Sequence, residues 1–307
     1  MKKILLILLI PFFTYSQDSL NMSLLGSFSF PTTQANDIWG WVDSVGNEYA
    51  IVGLRNGVSV VDVTIPSSPI EKFFISDINS VWRDLKTWNN YAYVTTEADA
   101  GLLIIDLNDM TGNSYWHVKD FYSSNNDTLH FEAAHDLFID ENGIIYIFGA
   151  SNPPSFSSPA NGAIFLDPTN DPINPEYLGE WNDEYIHDAM VRNDTMWAGC
   201  VYAGKVFIVD VSDKSNPITL GSATTPDAFT HNAWPSDNGN YVFTTDEKSD
   251  GFIAAYDVTD MNNIQEVDRI QSNPGGNSIP HNTFVDGNFL ITSYYRDGTT
   301  VHDITFP

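Results

Sequence analysis

Short apolar runs recur along the chain, separated by clusters of Asn, Asp, Gly, Ser and Pro. The region after His187 shows the rhythm most plainly: "HDAMVRN", "TMWAGCVY", "KVFIVDVS" and "NPITLGSAT" follow one another with a turn cluster between each pair. Runs rich in Val, Ile, Phe, Tyr and Trp and bounded by such residues predict β-strands. No segment sustains the 3.6-residue period of an amphipathic helix over ten residues. The pattern predicts an all-β protein.

The third run of each group is the most regular. It appears six times, as "VSVVDVT", "LLIIDLN", "AIFLDPT", "VFIVDVS", "IAAYDVT" and "TVHDITF". A second series marks the start of each group: Arg83, His135, His187, His231 and His281 succeed one another at intervals of 52, 52, 44 and 50 residues. A period of this size with four strands per unit is that of a propeller blade. Six units predict a six-bladed β-propeller of four-stranded antiparallel blades. The sixth unit has no fourth run before Pro307, whereas "SLLGSFSF" (23–30) matches the fourth runs "EYLGEWND" (176–183) and "ITLGSATT" (218–225). The N-terminal segment is therefore expected to complete the last blade and close the ring, which removes an exposed sheet edge.

The third-run aspartates (Asp62, Asp106, Asp167, Asp210, Asp257, Asp303) each precede turn residues. They are read as caps on turn N–H groups rather than as calcium ligands, because no dense calcium loop surrounds them.

Residues 1–16 stand apart. "MKK" followed by "ILLILLIPFF" and Thr14-Tyr15-Ser16 has the charged, apolar and small-residue parts of a cleaved export signal. The apolar run is shorter than the ~20 residues that span a bilayer. The expectation is an exported protein, secreted, periplasmic or at the cell surface, with one propeller domain over 17–307 and no membrane insertion. Cys200 is the only cysteine and lies in a strand run with no basic neighbour, so it reads as an inert buried thiol. The formal charge of −27 repels nucleic acid and anionic lipid, so neither is an expected partner.

These phrases resemble a known family. "VFIVDVS" and its five relatives look like LVIVD repeats. "WRDLKTWNNYAYV", "FTTDEKSDGFIAAYDV" and "SYYRDGTTVHDI" are similar to the choice-of-anchor B proteins, exported bacterial proteins common in Bacteroidetes. The resemblance implies a secreted or surface propeller and supplies no reaction.

The remaining question is where function sits. Turns between first and second strands are tight ("DENG", "RNDT", "SDNG", "DGN"), while the opposite face receives the long segments 110–133 and 150–162. Long loops in a compact domain are usual sites of function. The starts of the innermost strands fall on that same face, which places His135, His187, His231 and His281 at the channel mouth. Arg83 occupies the same station in the second unit, and Gly40-Trp41 is expected there in the first. Second strands end nearby and are expected to bring Arg55, Glu97, Tyr202, Asp246, Glu247, Tyr295 and Arg296 into one funnel.

Two readings of the histidines stand side by side. They are the residue of a repeated fold motif, held by structural hydrogen bonds, or they are ligands of a divalent metal, the one cofactor this pattern would take. Successive strand residues face opposite sides, so a His and the Asp or Asn after it cannot both face the channel without a bend. No nucleophile elbow, phosphate loop or zinc-protease helix occurs. The leading expectation is a monomeric, non-enzymatic binding module for a protein or glycan, using the long-loop face. The alternative is a metal-dependent hydrolase or oxidoreductase at the mouth.

Overall fold

The computed structural model describes residues 23–151 and 162–307, all of them strand, turn or irregular, with no helix. The export signal and most of the segment 150–162 lie outside the described residues. Six antiparallel sheets form the blades. Blade 1 runs from Ala35 to Ser76, blade 2 from Leu85 to Val118, blade 3 from Asp136 to Trp181, blade 4 from Asp188 to Thr224, blade 5 from Thr230 to Ile270 and blade 6 from Pro280 to Asp303. Their first strands contact one another in succession from blade 1 to blade 6 and line the central channel.

The six capping aspartates behave as expected. The Oδ1 atoms of Asp62, Asp106, Asp167, Asp210, Asp257 and Asp303 accept N–H bonds of 2.8–3.1 Å from Thr64, Asn108, Thr169, Ser212, Thr259 and Thr305. Cys200 is buried, and its thiol is pushed up by that burial.

The apolar core lies between consecutive blades. One cluster joins blades 1 and 2 through Ile51, Val58, Val60, Leu103 and Ile105. Another joins blades 2 and 3 through Leu102, Ile104, Leu137 and Ile147. A third runs through blades 3, 4 and 5, and a fourth unites blades 5 and 6. None of these clusters joins blade 6 to blade 1.

The seam has a specific structure. Blade 6 is a three-stranded ladder, and 23–30 forms no strand. The segment nevertheless takes the station of an outer strand. A Cβ on Gly26 would collide with the Pro66 carbonyl of blade 1, just as one on Gly179 of blade 3 would collide with Lys214 of blade 4. The outer-strand position is thus filled without ladder hydrogen bonds.

Segment 110–133, expected to be a long loop, is largely ordered as strand. It contains the outer strand of blade 2 (Tyr115–Val118) and a hairpin of Asp120–Tyr122 with Thr128–His130. Phe121 and Phe131 stack at 5.2 Å and are buried in the core between blades 2 and 3. Apolar burial explains its length.

Candidate functional site at the channel mouth

Each blade from 3 to 6 begins with the same two-residue device. In blade 3 the His135 N–H bonds to the Phe148 carbonyl while Asp136 is also opposite Phe148. In blade 4 His187 and Asp188 share Gly199 in the same way. Blades 5 and 6 shift register between Thr230 and Asn232 and between Pro280 and Thr283. Two residues against one is a β-bulge, which bends the strand and re-aims its side chains. This supplies the bend that strict strand alternation lacks, so the histidines gather at the mouth while the residues after them line the channel.

The four imidazoles form a continuous arc. Ring centroids are 3.9 Å apart for His135–His187, 4.5 Å for His187–His231 and 4.4 Å for His231–His281. Trp82 completes the circuit, stacking on His281 at 5.9 Å and meeting His135 edge-on at 6.5 Å. Outer partners fix the rings. Glu97 Oε1 lies 2.7 Å from His135 Nδ1, and the Tyr185 hydroxyl lies 3.2 Å from His187 Nδ1. Glu247 reaches between the last two, with Oε2 3.4 Å from His231 Nε2 and Oε1 3.8 Å from His281 Nε2, and it accepts a 2.6 Å bond from Tyr295. Thr95 and Thr245 donate to the carbonyls of His135 and His281. A Cβ on Gly199 would collide with the His231 carbonyl, so only glycine permits this approach of blades 4 and 5.

Burial and crowding keep His187, His231 and His281 neutral. Burial and the neighbouring His135 and His281 bring His187 down to about 3. Burial and His135 bring His281 down to about 4. His231 is lowered well below the usual range by burial and by His281, His187 and His135. Its Nδ1 is buried without a hydrogen-bond partner. Burial raises Glu247.

Two sets of donor atoms each lie within 4.8 Å of one another: His135, His187 and His231, and His231, Glu247 and His281. Neutral imidazoles, with ring orientation set by a carboxylate or hydroxyl on the far nitrogen, are what a transition-metal ion requires of its ligands. The residues therefore fit a divalent metal.

Beneath the arc is a second tier, one residue further along each inner strand: Asp37, Asp84, Asp136, Asp188, Asn232 and Asn282. Several members stitch one blade to the next. Asp84 accepts from the Leu137 N–H at 3.0 Å, Asp136 from the Ala189 N–H at 3.3 Å, and Asn232 from the Thr283 N–H at 3.1 Å. Asn232 also donates to Asp188 at 3.0 Å. Both Asp84 oxygens lie 2.8 Å from buried Lys86. That cation holds Asp84 far below its usual range against the penalty of burial. Burial followed by the Asp84 charge raises Asp37, Asp136 and Asp188, the last to about 6.

The expected funnel residues divide. Glu97, Glu247 and Tyr295 join the histidines, and Tyr202 stands at the exposed rim, its ring tilted against Tyr185 at 4.8 Å. Arg83 does not join. It turns between blades 1 and 2, where it bonds Asp77 at 2.6 Å and the carbonyls of Leu54 and Ile78. Asp246 also turns away, accepting from Thr225, the Asp227 N–H and the Phe229 N–H to fix the loop before blade 5. Arg296 is exposed, with no hydrogen bond or ion pair to the cluster. The station aligned with Gly40-Trp41 in blade 1 belongs instead to Asn36-Asp37, at the bulge between Ala35 and Ile38. Trp82 and Tyr185 were not anticipated. Their signal was adjacency, since Trp82 precedes Arg83 and Tyr185 lies two residues before His187.

The fold and the repeated device define a six-bladed β-propeller. The LVIVD repeat family model matches residues 35–77, 82–112 and 201–225, which lie in blades 1, 2 and 4. Among solved structures the chain is similar to Raptor from Chaetomium thermophilum (TM-score 0.63, 10% identity, 90% of this chain and 24% of that one). It is also similar to a protein from Lactobacillus plantarum (0.59, 14%, 81% and 77%) and to the β-propeller domain of Cps50 (Swd1) from Myceliophteria thermophila (0.57, 10%, 89% and 86%). At such identities the likeness concerns the fold alone. No curated protein matches the sequence.

Proposed function

We propose that the protein is an exported binding module that holds a divalent transition-metal ion at its histidine mouth and uses that face to engage a protein or glycan. The observation that carries this reading is the arc of four imidazoles, whose donor atoms gather, with Glu247, within 4.8 Å of one another in sets of three. Export rests on the n-region, apolar run and small-residue site of residues 1–16, and on the resemblance to the exported choice-of-anchor B proteins.

His135 and His187 have their Nδ1 atoms engaged by Glu97 and Tyr185, which leaves Nε2 of each for the metal. His231 and His281 supply the remaining imidazoles, with Glu247 as an oxygen donor. A bound ion would offer the partner a Lewis-acidic position for an oxygen or nitrogen ligand. The exposed Tyr202 and Tyr295 at the rim would supply aromatic contact area.

A metal-dependent enzyme is the second reading. It draws on Glu247, whose raised carboxyl beside the cluster could serve as a general base.

Elemental analysis of protein purified from its own host tests the metal. The expected result is about one transition-metal ion per chain, lost on His187→Ala and His231→Ala with the fold retained. Wild-type protein carrying none, and taking up none after incubation with Zn2+, Mn2+, Fe2+ or Ni2+, would overturn it. Hydrolysis of chromogenic esters and phosphoesters by the loaded protein separates the enzyme from the module.

A further inference from the structure

The channel does not end at the polar tier. Below it, toward the face of the tight turns, is a chamber of about 840 Å³, within the range of small-molecule sites. The first strands supply its aromatic wall: Trp39 and Trp41 from blade 1, Phe138 from blade 3, Trp234 from blade 5 and Phe284 from blade 6. Phe138 and Trp234 meet edge-on at 5.8 Å, and Trp234 and Phe284 at 6.0 Å. Blade 6 contributes Ile291, Ser293 and Thr299 to its side, along the seam where no apolar cluster joins blades 6 and 1. Ile38, Val42 and Phe284 are exposed where the chamber meets solvent.

Its polar end is acidic. Asp37, Asp84, Asp136 and Asp188 face Lys86, so four carboxyls confront one cation. Lys86 is already engaged by Asp84 and lies 4.7 Å over the Trp39 ring, which shows that this wall accepts a positive charge on an aromatic face. Trp234 Nε1 is buried without a hydrogen-bond partner, and Asp37, buried beside the ionised Asp84, is held toward its neutral acid. They offer one unmet donor and one carboxyl that a cation would ionise on the same cavity.

We infer that the chamber is a binding site for a small organic ammonium compound that also carries an oxygen acceptor. The cationic head would sit against the aromatic wall and the Asp37 side, and the oxygen would take the Trp234 indole N–H. A cation favours an ionised carboxylate, and burial beside the Asp84 charge holds Asp37 toward its neutral form. Binding therefore releases protons and tightens as pH rises. The site shares no ligand-facing residue with the histidine mouth and does not rest on the metal reading.

The test titrates choline into the full chain with EDTA present, following tryptophan fluorescence and calorimetry, with 3,3-dimethylbutan-1-ol as the neutral isostere. The expected result is saturable choline binding at one site, at least tenfold tighter than the isostere and at least threefold tighter at pH 7.5 than at pH 5. Asp37→Asn should weaken choline at least tenfold and leave the isostere unchanged. Trp234→Phe, which removes the indole N–H and keeps an aromatic wall, should weaken both ligands alike, since both carry the hydroxyl oxygen, without altering the melting transition. Equal binding of choline and isostere, an unchanged affinity in Asp37→Asn, or no binding by the folded wild-type protein would each overturn the assignment.

Discussion

The two tiers of the channel come from adjacent residues of the same strands, yet they do opposite work. The upper tier, His135, His187, His231 and His281, makes its contacts with other side chains at the mouth: imidazole on imidazole, Glu97, Glu247, Tyr185. The lower tier, with Asp84, Asp136 and Asn232, bonds to the backbone of the next blade. The repeated His-Asp or His-Asn doublet therefore splits: its second residue stitches blade to blade, its first gathers at the mouth, and the bulge separates the two. A repeat does not make all its residues structural. It makes one residue of the doublet structural and places the other, in register, where several copies meet.

The largest effect should follow from breaking the lower tier at its ion pair. Asp84→Ala leaves Lys86 buried without its partner and the Leu137 N–H without its acceptor. Removing one member of a buried pair costs about 3–5 kcal/mol, and urea denaturation should show that loss. Asn232→Ala removes the bonds to Asp188 and to the Thr283 N–H, and the same measurement should register about 1–3 kcal/mol.

The upper tier should respond differently. On the proposed metal reading, His187→Ala should cost under about 1 kcal/mol, because its ring contacts other side chains at the mouth and no backbone of the next blade, while removing the metal. A loss as large as that of Asn232→Ala, with metal retained, would show that the histidines are punctuation as well.

Acid unfolding sharpens the comparison further. His187 and His281 have folded-state values near 3 and 4, below the unfolded value near 6.5. Keeping them neutral contributes stability that is present above about 6.5 and lost as pH falls. Asp188 has the reverse sign: its value is raised to about 6, so its cost is present above that pH and relieved as pH falls toward 3.8. The metal-free His187→Ala/His281→Ala variant should therefore gain melting temperature relative to metal-free wild type between pH 6.5 and 4. Parallel melting curves would contradict the buried, neutral state of the arc.

Much of this was legible in the sequence for a physical reason. Six third-strand phrases ending in Asp report a local turn, and each aspartate caps the turn that follows it. The register of the histidines survived because each opens an inner strand. What was not legible depends on contacts between blades. Arg83 shares the histidine station, but Asp77 and two carbonyls hold its guanidinium elsewhere. Asp246 lies beside Glu247 in sequence, and alternation along the strand sends one to a loop and the other to the imidazoles. The hairpin of 120–130 read as a loop because its runs are only three residues each, and its buried Phe121 and Phe131 gain meaning only against blade 3. The segment 23–30 was assigned from its likeness to outer strands. Gly26 takes that station, while the ladder hydrogen bonds that pattern alone would imply are not formed.

The most direct test of the mouth as a metal centre is anomalous diffraction from crystals of the host-purified protein. A single peak bonded to Nε2 of His135 and His187 and to at least one further ring, at the roughly 2.0–2.1 Å typical of imidazole ligation, is the predicted result. An arc free of anomalous density in crystals soaked with Zn2+, with the four rings hydrogen-bonded only to protein and water, would contradict it.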